Sequence, residues 1–191
     1  MKILEIISMT CFVIYLLLQI SHSKYMWYFY IPSCIAQAIL YFQHQTWAFG
    51  VLNVYYIVMG VVGIINWRKD SQKAAGESEN SIPLNKMTPK IFLISLGIAA
   101  VGIPALYFIL QSLGDARPLL DAITSTLSII ATWWLTRSYI QQWILWIISD
   151  IFAVALNLHL GMYFLALQFS ICIVFSIFGI INWYKKGVYV G

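Results

Sequence analysis

Asp150 is the residue of this chain most in need of a chemical reason, because it stands midway along the apolar run Gln142–Leu158. A carboxylate at the centre of a membrane helix costs roughly 2.5–3.5 kcal/mol on insertion scales. At helical spacing Trp143, Trp146, Asp150, Ala153 and Asn157 fall on one face. Two indoles, a carboxylate and an amide in a row make a polar-aromatic seam. Indole faces beside a carboxylate suit a flat cation. The competing role for Asp150 is packing, with a Ser, Thr or Tyr of a neighbouring helix satisfying it.

Other polar groups inside apolar runs are Asn53 and Tyr56, which share a face with Gly60, Gly63 and Trp67, and Gln168, which aligns with Cys172 and Gly179. Each is read either as a ligand contact or as an internal hydrogen-bonding group, the glycines as places of close helix approach. Trp133 and Trp134 point about 100° apart on a helix, so only one can face a given site. Trp133 stands as the candidate, with the choice between the two open. Asp121, just after Pro118, reads as an N-cap, and Asn66 and Asn182 as caps beside interfacial tryptophans. His22, His44 and His159 are dispersed without metal-ligand spacing, and no triad or zinc motif occurs. A metal, a cofactor and an enzymatic function are therefore not expected.

Such residues need helices to hold them, and composition says which kind. Of the 191 residues 61% are hydrophobic and 9% charged, a balance that excludes a water-soluble domain. The charges fall between apolar runs of roughly 17–22 residues, the length of a membrane-spanning helix. Seven spans are predicted, over about 3–21, 26–42, 47–67, 91–112, 119–137, 142–158 and 162–183. Lys2 ahead of the first run could suggest a cleaved signal peptide, but that run has a twin at 121–137 and is read as a retained helix. Cys11, Cys34 and Cys172 lie inside apolar runs as small hydrophobes. The net charge of +4 is scattered at helix ends, which points away from nucleic acid as a partner. Membrane lipid is the expected surrounding, and the number of copies in an assembly stays open, a homo-oligomer among the options.

The five letters Gly63-Ile64-Ile65-Asn66-Trp67 return as Gly179-Ile180-Ile181-Asn182-Trp183, and the same 116-residue offset pairs Trp27 with Trp143 and Ser33 with Ser149. Residues 5–69 and 121–185 read as two copies of one unit. The expected fold is all-α integral membrane. Seven transmembrane helices form two parallel three-helix repeats joined by a linker helix, a 3+1+3 plan. The divisions are 1–67 for the first repeat, 68–90 for a solvated, mobile cytoplasmic loop, 91–112 for the linker helix and 119–184 for the second repeat. Parallel repeats are a known transporter plan, with the substrate held near the midplane. Taking loops alternately, one side carries Lys24, Arg68, Lys69, Lys73, Lys86, Lys90, Arg137, Lys185 and Lys186, and the other only Lys2 and Arg117. The amino terminus is therefore expected outside and the carboxyl terminus in the cytoplasm.

The stretch from Ile130 through Trp133, Trp134, Arg137 and Tyr139 to Gln142-Trp143, Trp146 and Ser149-Asp150 resembles the signature of the PnuC family. Asp121-Ala122, Gly161 and Tyr163 extend the match, and Glu5-Ile6-Ile7, Tyr15 and Val54-Tyr55-Tyr56 carry it more loosely into the first half. The resemblance implies a bacterial inner-membrane vitamin transporter, SWEET-like in fold. Its cargo would be nicotinamide riboside, moved by facilitated diffusion and trapped by phosphorylation in the cytoplasm. Family relatives also carry thiamine or riboflavin. Asn53 stands where the family usually has Gln just before the Val-Tyr-Tyr run. Nicotinamide riboside and thiamine are both flat cations; neutral riboflavin leaves Asp150 without a role. A SWEET-type sugar carrier is the other alternative, though the chain has no Pro-Gln dipeptide.

Overall fold

A computed structural model of the chain describes residues 2–43, 47–73 and 81–190. The turn expected at His44 and Gln45, and residues 74–80 of the polar stretch, lie outside the described residues. Seven α-helices follow in order: α1 (Lys2–Ile20), α2 (Met26–Gln43), α3 (Trp47–Lys73), α4 (Pro89–Ser112), α5 (Pro118–Leu135), α6 (Gln142–His159) and α7 (Tyr163–Lys186). Two short strands join them, β1 (Ile82–Leu84) after α3 and β2 (Gly187–Tyr189) after α7. Five helices, α3 to α7, are long and apolar enough to cross a bilayer. In α1 the apolar stretch is the shorter Ile6–Ile20, and α2 is diluted by tyrosines, glutamines and Pro32. The protein is an all-α integral membrane protein.

On α4 only Ser95 and Leu110 are buried, while Phe92, Leu93, Leu96, Val101 and Phe108 are exposed. In water such a face would drive aggregation. Against lipid tails it is the stable choice, since the helix satisfies its own backbone groups.

The chain divides into two compact units. The first holds Met1–Leu84, Thr136–Ser138 and Asn182–Gly191; the second holds Asn85–Leu135 and Tyr139–Ile181. In the first, α1 packs on α2 and α2 on α3. Gly63 of α3 leaves the notch that the Trp27 indole fills, and any β-carbon there would overlap the ring. Ser33 Oγ donates to the Ser8 carbonyl across α1 and α2 at 3.1 Å. In the second unit α4 packs on α5 and α5 on α6. There Gly179 of α7 leaves the notch for Trp143, and Ser149 Oγ donates to the Thr124 carbonyl at 3.1 Å. Every partner in the second set stands 116 positions after its counterpart. The repeated letters thus correspond to repeated contacts, not to composition alone.

The ends of α1 and α5 repeat in the same way. Ser23 N–H reaches the Leu18 carbonyl (2.9 Å) and Tyr139 N–H the Trp134 carbonyl (3.2 Å). Both closures pass through a left-handed residue, His22 (φ 52°) and Ser138 (φ 53°). Glycine is usual at that position, as Gly114 and Gly161 show at the ends of α4 and α6. A side chain there strains the backbone by roughly 1–2 kcal/mol, so its own contacts must offset that.

Two expectations change. The polar stretch is less loop-like than its composition indicates. The α3 helix continues to Lys73, Asp70 is buried, and β1 buries Ile82 and Leu84. Strand β1 pairs in parallel with β2, Ile82 opposite Gly187. Trp67 and Trp183 are buried rather than interfacial. Their indoles meet at 6.2 Å, and the helices run on past Asn66 and Asn182 instead of ending there. Asn182 donates to the Ile20 carbonyl (2.7 Å) and Trp183 to the Gln19 carbonyl (3.1 Å). The end of α7 therefore satisfies orphan carbonyls at the end of α1.

Candidate substrate site

In the second unit the seam on α6 is present as a face. Trp143, Asp150, Ala153 and Asn157 are buried and Trp146 is half-buried. The five residues do not share one role. Trp143 is fully enclosed against Gly179, so its indole packs helices as Trp27 does. Asn157 Nδ2 donates to the Ala153 carbonyl one turn earlier (2.7 Å), which uses one of the two amide hydrogens.

Trp143 Nε1 has no hydrogen-bond acceptor among the described residues, and Asp150 and Trp146 add two more unmatched groups on the same face. Among the described residues no group donates a hydrogen bond to the Asp150 carboxylate. The buried Trp146 Nε1 likewise has no acceptor among them. Asp150 lies within electrostatic reach of Cys172 on α7, a thiol that offers little stabilisation to a carboxylate. A buried polar group left unmatched costs about 1–3 kcal/mol, more if charged. Each such group calls for an explanation, an ordered water or a ligand among them. Thr126 Oγ1 on α5 is another buried group without a hydrogen-bond partner among the described residues. It faces Gly102 of α4, whose Cβ position would be 3.2 Å from Thr126 Cγ2. Only its place in the repeat, opposite Thr10, could have singled it out from sequence.

Trp133 and Trp134 separate as helix geometry requires. Trp134 is buried with Ile130 and Tyr139, and its Nε1 donates to Ser95 Oγ on α4 (2.9 Å). Trp133 is partly buried against the same cluster. Gln168 on α7 is half-buried. Asn53 and Tyr56 belong to the first unit: Asn53 is buried, and the Tyr56 ring lies 6.5 Å from Tyr30 and 5.7 Å from Tyr55. Asp121 is not an N-cap. It sits in the first turn of α5, buried, and accepts from Ser125 Oγ (3.2 Å).

At the other end of the first unit lies a cluster that spacing did not single out. The His22 ring stacks on Trp67 (3.8 Å, 5°) and meets Trp183 edge-on (4.8 Å). Its Nε2 is 3.3 Å from Ser138 Oγ, which reaches Asp70 Oδ2 at 3.5 Å. Part of His22 touches solvent, but its ring is enclosed by indoles. That desolvation lowers its pKa to about 3. Among the described residues no group of three or more His, Cys, Asp or Glu could hold a metal ion.

Residues 2–185 match the family model described as nicotinamide mononucleotide transporter. A nicotinamide riboside transporter PnuC of Escherichia coli (strain K12) is 28% identical over 166 residues, covering 76% of this chain and 70% of that protein. The PnuC of Neisseria mucosa is 28% identical over 137 residues, covering 68% of this chain and 52% of that protein. A crystal structure of the vitamin B3 transporter PnuC superposes with a TM-score of 0.75 at 24% identity, covering 96% of this chain and 81% of that one.

Proposed function

The chain belongs to the nicotinamide mononucleotide transporter family, and on that premise we propose that it carries nicotinamide riboside across the bacterial inner membrane. It is a transporter and not an enzyme. Movement runs down the cargo's own gradient, and phosphorylation in the cytoplasm makes uptake one-way. The observation that carries this reading is Asp150, a buried carboxylate without a protein donor among the described residues, one turn from an unmatched indole N–H. A hydroxylated cation with a flat aromatic ring supplies what both lack: a counter-charge for Asp150 and an acceptor for Trp146. Trp143 backs this face, with Asn157, Gln168, Trp133, Asn53 and Tyr56 as further candidate contacts. Thiamine meets the same requirements and is the second reading. A neutral sugar leaves Asp150 uncompensated.

The two copies are read as parallel three-helix repeats flanking α4, with the amino terminus outside. The contacts recurring at 116 residues and the nine-to-two division of cations support this. Purified protein titrated with nicotinamide riboside, thiamine and riboflavin tests the cargo. Saturable nicotinamide riboside binding, with proteoliposome uptake that stops at equilibrium, is the expected result. Binding of riboflavin alone, or accumulation abolished by a protonophore, would overturn the proposal.

A further inference from the structure

A recess of about 270 Å³ opens where the start of α2 meets the end of α3, within the first unit. Trp27 and Trp67, edge to face at 5.2 Å, form its floor with Ile64. Lys24, Tyr25, Tyr28 and Arg68 form its rim. The volume falls just under the roughly 300–1,000 Å³ of sites that enclose a drug-sized ligand. A small anionic headgroup fits it better than a whole vitamin.

The rim is cationic, and its two charges touch only tyrosines of the rim itself in the contacts that follow. Arg68 Nη2 donates to the Tyr28 hydroxyl (3.3 Å), and Lys24 Nζ lies 5.6 Å from the Tyr25 ring centroid. Among the described residues neither cation pairs with a carboxylate. The internal duplication supplies a control. At the same 116-residue offset the floor positions keep their letters as Trp143, Ile180 and Trp183, whereas the rim positions are Ile140, Gln141, Ile144 and Tyr184. The cationic rim is thus particular to the first copy.

A third observation says what is recognised. Val58, Val61 and Ile65 are exposed and form one stripe of α3 that leads to Arg68. A free anion has no use for such a stripe, whereas acyl chains attached to a bound headgroup would lie along it. Exposed Tyr25 and Tyr28 stand at the rim, where amphipathic rings meet a membrane surface. We infer that the recess binds the phosphodiester headgroup of an anionic phospholipid, with Arg68 and Lys24 on the phosphate and the lipid's chains along α3. Arg68 suits the role because its guanidinium can grip two phosphate oxygens at once.

The test is a thermal-stability titration of the purified full chain in detergent with short-chain phosphatidylglycerol, phosphatidylcholine or inorganic phosphate. Phosphatidylglycerol should raise Tm saturably, and the other two should not. The double variant K24Q/R68Q should need roughly tenfold or more phosphatidylglycerol for half the effect. K185Q/K186Q removes the same charge elsewhere and should behave as the parent. If K24Q/R68Q cannot be purified, Arg68→Lys serves instead: it keeps the charge, loses the fork and should weaken the response. An equal response to inorganic phosphate would mean a soluble anion and overturn the lipid assignment. An equal loss in K185Q/K186Q, or none in K24Q/R68Q and Arg68→Lys, would overturn the site.

Discussion

Among the described residues no group donates a hydrogen bond to Asp150, which makes the proposed contact with a cationic cargo testable at this residue. Asp150→Asn keeps shape and hydrogen bonding but removes the charge. Binding of cationic nicotinamide riboside should fall sharply, while its reduced, uncharged form should bind nearly as before; an equal loss for both would assign Asp150 to packing. Trp146→Ala removes a π face worth about 2 kcal/mol when desolvated, a drop of tenfold or more in affinity, and Trp146→Phe should lose less. His22 gives a pH signature. Its folded pKa of about 3 lies below the usual 6.5, so between those values the unfolded chain holds a proton that the folded chain does not. Its stabilising contribution is complete above about pH 6.5 and declines as pH falls toward 3. Tm in detergent should drop from about pH 7 to about pH 5, and His22→Asn should flatten that slope; an unchanged slope would assign the acid sensitivity to other groups. The face holding Trp146 and Asp150 was legible in the sequence because helical spacing is enough to align residues. Their lack of partners was not, since that depends on which side chains of α5 and α7 fail to reach them. His22 was equally hidden, because the Trp67 and Trp183 that enclose it read as interface residues by position alone.

Helix contacts in this protein rest on indoles seated over glycines. Gly63→Ala and Gly179→Ala each place a β-carbon into a buried tryptophan, at Trp27 and at Trp143. Both should destabilise by about 1–3 kcal/mol, the usual range for overpacking. Gly97→Ala has nothing within 4 Å of the new carbon and should be neutral or stabilising. Thermal denaturation of the three variants checks this, and a stable Gly63→Ala would mean that Trp27 can shift. Most helix limits were readable because long apolar runs leave few alternatives in a bilayer. The end of α3 was missed by six residues, Trp67 against Lys73. Local polarity suggested a loop there, while Asp70 is buried against Ser138 from a distant part of the chain. Three-residue strands have no signal of their own, and the partner of β1 is β2, far later in the chain.

At the scale of the molecule, the placement of cations predicts which face meets the cytoplasm. In a cysteine-free background, Ala116→Cys should react with an impermeant thiol reagent in intact cells and Lys86→Cys should not. The reverse pattern would invert the orientation and put the phospholipid recess in the outer leaflet. The contacts that recur at 116 residues were legible because the positions that make them still share letters. The division into two compact units was not, because Thr136–Ser138 and Asn182–Gly191 belong with the first unit across a long sequence distance. The clasp of β1 and β2 also imposes an order in time. Strand β1 leaves the ribosome before α4, but its partner follows α7. At about 5–20 residues per second, β1 waits on the order of 5–20 s with its edge unpaired. Through that interval Ile82 and Leu84 have no strand beside them, and the unpaired edge of β1 is a foothold for a chaperone. Once β2 arrives, that foothold closes, and the nascent chain passes from a substrate of quality control to a finished carrier.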